Sequence, residues 1–77
     1  MIGSLRGCVL ERSASGEVLL EVAGVGYRVL VPTRTLAAVG PGSEAFLYVH
    51  HHVREDAVAL YGFATRDDRD TFEALLG

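Results

Sequence analysis

The stretch AFLYVHHHVREDAVALYGF (residues 45–63) holds two apolar, strand-like runs separated by the polar segment Arg54-Glu55-Asp56-Ala57. Aromatic and β-branched residues favour strands, and a short polar segment between two such runs is typical of a hairpin turn. The pattern therefore predicts a β-hairpin. Its tip carries two adjacent carboxylates, Glu55 and Asp56, that project into solvent.

The segment upstream of this hairpin also follows strand periodicity. In EVLLEV (residues 17–22), Val18, Leu20 and Val22 lie on one face and both glutamates on the other. Gly24-Val25-Gly26 comes next, and the dinucleotide-binding fingerprint that it partly matches needs a third glycine and a following helix. Because a strand-like run follows instead, we interpret these glycines as a hairpin turn.

Five strands are predicted in all, over residues 2–12, 17–22, 27–31, 43 or 44 to 53, and 57–63. Gly3 and Gly7 interrupt the first of them, and glycine within a strand often marks a bend or a bulge. Between the third and fourth strands, Thr33 or Thr35 is expected to cap one short helical turn that reaches Val39.

The last segment changes from alternation to helical spacing. Thr65, followed by carboxylates at positions 67 and 68, is typical of a capped helix N-terminus. An apolar stripe at helical spacing follows, and we expect it to contact the core: Phe72, Leu75 and Leu76. Five strands and this helix predict an all-β fold with a short C-terminal helix.

Composition limits the classes of function. The chain has 77 residues, a net charge of −3, and only arginine among its basic residues. A domain of this size has a marginal core, so association with other copies is expected. Nucleic-acid-binding domains usually carry a basic footprint, so charge alone argues against direct DNA binding.

The compartment follows from the cysteine content and the hydropathy pattern. Cys8 is the single cysteine and we expect it to be a buried small side chain, which favours a reducing compartment. No apolar run approaches the length of a membrane span. We therefore expect a cytoplasmic protein with no membrane partner.

The triplet His50-His51-His52 is a weak metal candidate. On a strand, His50 and His52 share a face while His51 points away, and two ligands are too few for a structural zinc site. Because histidine titrates near neutral pH, a pH-sensitive contact is the alternative. We expect no metal, no cofactor and no catalytic residue, since an exposed turn offers Glu55 and Asp56 no pocket that separates their pKa values.

Four segments in the right order resemble the N-terminal domain of the bacterial Holliday-junction-binding RuvA family. They are Met1–Gly7 with its Leu-Arg-Gly, Gly24–Tyr27, Val53–Ala57 with Leu60–Phe63, and Phe72–Leu76. The resemblance implies a five-stranded OB-fold-like Greek-key barrel over residues 1–63. It also implies that the helix over residues 64–77 leads to a helix-hairpin-helix domain, which we expect this chain to lack.

The resemblance further implies a non-catalytic subunit that binds four-way junction DNA as a homotetramer, in recombination, DNA repair and the SOS response to DNA damage. Glu55 and Asp56 match the acidic pin, which repels phosphates at the junction centre. Arg54 is expected to contact phosphate or to pair with a pin carboxylate. ATP is used by the partner ATPase RuvB, recruited through a third domain, and the RuvC resolvase is a further partner.

Two other functions stay open on the sequence. A generic OB-type module for single-stranded nucleic acid combines a basic groove with stacking aromatic residues, and the chain offers Phe46, Tyr48, Tyr61 and Phe63. A purely structural oligomerisation module is the other. Binding to poly-dT favours the first function, and self-association without DNA affinity favours the second.

Overall fold

The computed structural model describes all residues, 1–77, and has five strands and two helices. The strands are β1 (Ser4–Ser13), β2 (Glu17–Val22), β3 (Val25–Leu30), β4 (Glu44–Val53) and β5 (Val58–Phe63). The helices are α1 (Thr33–Ala38), between β3 and β4, and α2 (Arg66–Leu76), after β5. The predicted strands are confirmed in number and order, with ends displaced by a residue or two.

The five strands close into a barrel in the order β1-β2-β3-β5-β4. Strand β1 pairs antiparallel with both β2 and β4, which closes the barrel, whereas β3 and β5 pair in parallel. This non-sequential order is the kind that a Greek-key barrel of OB type requires. The predicted all-β, OB-fold-like five-stranded barrel with a short C-terminal helix is confirmed.

Alternating side chains fill the barrel interior, as the period of a strand requires. Val18 and Leu20 of β2 are fully buried and Val22 is partly buried, so the predicted inner face of this strand is confirmed. Cys8 is only half-buried, because its neighbour Val9 points into the barrel and Cys8 therefore faces outward. The other buried core residues are Leu5, Val9, Val29, Ala45, Leu47 and Val49.

Strand β1 is irregular at Leu10 rather than at either glycine. Its pairing with β2 shifts register between Val9 and Glu11, so Leu10 is the extra residue of a bulge. Gly7 serves a different purpose: a Cβ at this position would overlap the main-chain carbonyl of Glu21 on β2. The glycine therefore permits the close approach of the β1 and β2 backbones.

The turn between β2 and β3 is shorter than expected. The ladder extends to the pair of Val22 and Val25, and only Ala23 and Gly24 connect the two strands. Both have positive φ, 50° and 86°, as a two-residue type I′ hairpin requires. Gly24 is thus part of the turn as predicted, whereas Val25 and Gly26 belong to β3.

Helix α1 is present, but the predicted threonine cap is wrong. The N-cap residue is Pro32, which makes no side-chain capping bond, and Thr33 is already helical. The ring of Pro32 fixes φ at −60°, so the chain enters the helix without a hydroxyl cap. Thr35 instead turns inward and is buried.

Helix α2 begins as predicted, but only one residue of its predicted apolar stripe packs against the barrel. The hydroxyl of Thr65 accepts from the main-chain N–H of Asp68 at 3.1 Å, which confirms the cap. Phe72 packs on the outside of β4 and β5, whereas Leu75 and Leu76 are 82% and 50% exposed. The predicted core contact is therefore wrong for both leucines, because the strands' own side chains already fill the interior.

Candidate functional site

The acidic turn lies at the tip of the β4–β5 hairpin. The main-chain N–H of Arg54 donates to the carbonyl of Ala57 at 2.8 Å, which closes a four-residue turn beyond the last ladder pair. Glu55 and Asp56 occupy the two central positions and both are exposed. The hairpin thus holds the two carboxylates at a fixed place while leaving them in water.

Neither carboxylate has a cationic partner. No ion pair within 4.0 Å involves Glu55 or Asp56, although arginine and carboxylate side chains form five such pairs elsewhere in the chain. An unpaired, exposed charge repels an approaching anion without a neighbouring cation to offset it. The turn therefore presents a small, local source of negative potential.

Arg54 is adjacent to these carboxylates but points away from them. Its Nε donates to Nε2 of His52 at 3.3 Å, back along the outer face of β4. This contact was not among the partners expected from the sequence, which were a phosphate or a pin carboxylate. The structure thus separates the guanidinium from the acidic turn.

The histidine triplet divides between the two faces of β4 as predicted. His50 and His52 lie side by side on the outer face, with Nε2 of His50 and Nδ1 of His52 3.3 Å apart. His51 lies on the other face, where its Nδ1 accepts from the main-chain N–H of Ile2 at 2.9 Å. The chain contains no group of three or more His, Cys, Asp or Glu residues arranged to hold a metal ion.

Glu73 joins the histidines and was missed by sequence reasoning. Its Oε2 lies 2.7 Å from Nδ1 of His50, a contact that ties α2 to β4. The only sequence signal was local: Glu73 follows Arg69 by four residues, and these two side chains do approach to 3.9 Å. Nothing in the sequence places His50 opposite them, because that contact depends on how α2 docks.

The aromatic residues do not form one open stacking surface. Phe46 and Tyr48 lie on the outer face of β4, each with an arginine guanidinium over its ring. Tyr61 and Phe63 are instead covered by Phe72 of α2, with ring centroids 5.0 and 5.1 Å away. A protein that binds single strands stacks bases on accessible rings along a basic groove, whereas here Phe63 is buried and Tyr61 is stacked against Phe72.

Neither helix is long and apolar enough to cross a lipid bilayer. Fold and site together define an OB-fold-like barrel whose distinguishing feature is an exposed, unpaired acidic hairpin.

Comparison with known proteins gives this barrel its family. Residues 1–62 match the family described as RuvA N terminal domain. The chain is 52% identical over its whole length to a Holliday junction branch migration complex subunit RuvA from Mycolicibacterium gilvum. Proteins of the same name from Halothermothrix orenii and Solidesulfovibrio magneticus are 52% and 47% identical over 99% and 100% of the chain.

The chain therefore belongs to the RuvA N-terminal domain family, as the sequence resemblance predicted. It spans 38–39% of the length of these three relatives.

Proposed function

We propose that this chain is the junction-centre domain of a Holliday junction branch migration subunit, and that Glu55 and Asp56 form an acidic pin that repels DNA phosphates. The observation that carries the proposal is the pair of exposed carboxylates without cationic partners at the hairpin tip. Family membership and the matching names of the relatives support it.

The physical effect of such a pin is repulsion that acts at one place on the DNA. Two unit charges 4 Å apart repel by ~1 kcal/mol in water and by ~4 kcal/mol at an effective dielectric constant of 20. In a homotetramer, the two carboxylates of each chain sum to eight around the four-fold axis. Such a centre disfavours a continuous duplex across it and holds four separated strands apart.

Binding affinity must then come from elsewhere in the full-length protein. Contacts between cations and phosphates dominate nucleic-acid affinity, and this chain carries a net charge of −3. We assign the attractive contacts to a helix-hairpin-helix domain that follows in the full-length protein. We further assign ATP-driven movement to the partner ATPase RuvB, with RuvC resolvase as a second partner, so we propose that the domain itself catalyses no reaction. We also propose that it acts in the cytoplasm.

The 77-residue chain alone should bind a four-way junction no more tightly than about 10 µM at physiological salt, the range of weak non-specific binding. The reason is that its acidic surface leaves the ordering cost of binding uncompensated. Fluorescence anisotropy with a labelled junction measures this, with a labelled linear duplex as the control. A submicromolar affinity for the junction would contradict the division of roles between this domain and the rest of the protein.

The chain should also self-associate, towards a tetramer. Only 11 of its 77 residues are buried, so much of its apolar surface is left for contact with other copies. The exposed large apolar side chains are Met1, Leu10, Val25, Val53, Val58, Leu75 and Leu76. Sedimentation velocity over a concentration series measures the assembly, and a monomer at every concentration would show that assembly requires other parts of the full-length protein.

A further inference from the structure

A chain of side-chain contacts runs along the outer face of β4 from α2 to the base of the acidic turn. Glu73 Oε2 lies 2.7 Å from His50 Nδ1, and His50 Nε2 lies 3.3 Å from His52 Nδ1. Nε2 of His52 then accepts from Nε of Arg54 at 3.3 Å. Every ring nitrogen of the two histidines therefore has a hydrogen-bond partner in this series of contacts.

The two ends of this chain fix the direction of every hydrogen bond in it. A guanidinium can only donate, so Nε2 of His52 must be unprotonated and its proton must lie on Nδ1. That proton points to Nε2 of His50, which therefore accepts and carries its own proton on Nδ1. The Nδ1–H of His50 in turn donates to the carboxylate of Glu73, which can only accept.

We propose that His50 and His52 form a tautomer-locked hydrogen-bond chain that holds Arg54 away from the acidic turn, and that uptake of one proton by the pair releases Arg54. The locked form requires both histidines to be neutral with the proton on Nδ1. The histidines are positioning residues, since they act on the turn only through Arg54. The consequence for DNA rests on the proposed function, whereas the hydrogen-bond chain itself does not.

One added proton breaks the contact with Arg54 wherever it binds. On Nε2 of His52, it places an N–H and a positive charge directly against the guanidinium. On Nε2 of His50, it forces His52 to move its own proton from Nδ1 to Nε2, which again points an N–H at Arg54. The bond between His50 and Glu73 survives and becomes an ion pair in the second case.

The surroundings of the pair contain few other titratable groups. Tyr61 of β5 packs against both imidazoles, with centroids 6.4 and 6.1 Å from those of His50 and His52. From α2, Phe72 lies against His50, and Arg69 approaches the second carboxylate oxygen of Glu73 at 3.9 Å. The groups that face the two imidazoles from β5 and α2 are thus one phenol, one phenyl ring, one guanidinium and the carboxylate of Glu73.

Release of Arg54 changes the electrostatics of the turn. The guanidinium is covalently next to Glu55, and only its bond to His52 directs it along β4. Once free, it can pair with the pin carboxylates and reduce their repulsion of phosphate. The acidic pin is therefore strongest above the pH at which the pair takes up its proton.

Nitrogen-15 NMR of the histidine-labelled chain tests the proposal directly, because long-range proton–nitrogen correlations report the tautomer of each imidazole. At about pH 8, His50 and His52 should both be Nδ1–H tautomers, as the hydrogen bonds require. His51 is an internal control of opposite sign: its Nδ1 accepts from Ile2, so it should be the Nε2–H tautomer. On acidification to about pH 5, the Nε chemical shift of Arg54, measured in an arginine-labelled sample, should move to that of a free arginine side chain.

Variants of Glu73 test whether the hydrogen bonds themselves, rather than the mere proximity of these side chains, determine the histidine tautomers. Glu73→Ala removes the terminal acceptor, so His50 and His52 should exchange between tautomers, and the Nε chemical shift of Arg54 should move towards that of a free side chain even at about pH 8. Glu73→Gln retains an acceptor oxygen and should keep the wild-type tautomers. Glu11→Ala, which removes an exposed carboxylate of β1 without an ion pair, is the matched control and should change nothing.

An Nε2–H tautomer at His52, or the same mixture of tautomers in wild type and Glu73→Ala, would overturn the proposal. So would an Arg54 Nε chemical shift that is the same at both pH values. These readouts do not involve DNA. Failure of the tautomer test therefore leaves the proposed role of the acidic pin intact, and failure of DNA binding leaves the hydrogen-bond chain intact.

Discussion

Gly7→Ala should destabilise the domain by about 3 kcal/mol, the upper end of the cost of overpacking. The added Cβ would overlap the main-chain carbonyl of Glu21, and a backbone carbonyl cannot move aside as the end of a flexible side chain can. For a domain of this size, about 3 kcal/mol lowers the Tm by roughly 12–24 °C. Thermal unfolding followed by circular dichroism measures the shift.

Gly3→Ala is the matched control for this prediction. Gly3 lies just before β1, and a Cβ there would meet no atom within 4 Å. Its stability should stay within about 0.5 kcal/mol of wild type. Equal effects of the two substitutions would show that Gly7 matters through chain flexibility and not through the close approach of β1 to β2.

The positions of the strands and the buried face of β2 could be predicted from the sequence because they depend on local patterns. Alternation within residues 17–22 identified the inner face of β2, and the polar segment at 54–57 identified the β4–β5 hairpin. The cap at Thr65 was also local, since the acceptor and its donor are three residues apart. The closed barrel itself came from the family resemblance, because periodicity does not specify which strands pair.

The features that sequence reasoning missed depend on contacts between distant segments. His50 and Glu73 are 23 residues apart, and they meet only because Phe72 docks α2 on the outside of the barrel. The same docking leaves Leu75 exposed, although its spacing from Phe72 predicted a shared apolar face. The sequence predicts a bend or a bulge at Gly7. It does not reveal that the main chain of Glu21 lies against this glycine, because that is also a contact between distant segments.

In a full-length RuvA protein that carries this domain, Glu55→Gln/Asp56→Asn should strengthen DNA binding. The two lost carboxylates of each chain together remove on the order of 2 kcal/mol of repulsion from a nearby phosphate, so junction affinity should rise by roughly thirtyfold or more. Affinity for linear duplex should rise more, because a neutral centre no longer penalises a continuous helix that passes across it. Discrimination between junction and duplex should therefore fall, and branch migration with the proposed ATPase partner should change its rate.

Paired anisotropy titrations of junction and duplex, at several salt concentrations, measure both effects. The gain should shrink as salt rises, since screening already weakens the repulsion in the wild type. Glu11→Gln/Glu21→Gln is the matched control: it removes the same two charges from exposed positions of β1 and β2 that form no ion pair. An equal gain in this control would assign the effect to net charge. A loss of both affinities in the Glu55→Gln/Asp56→Asn variant would show that the turn attracts DNA, through a bound cation, rather than repelling its phosphates.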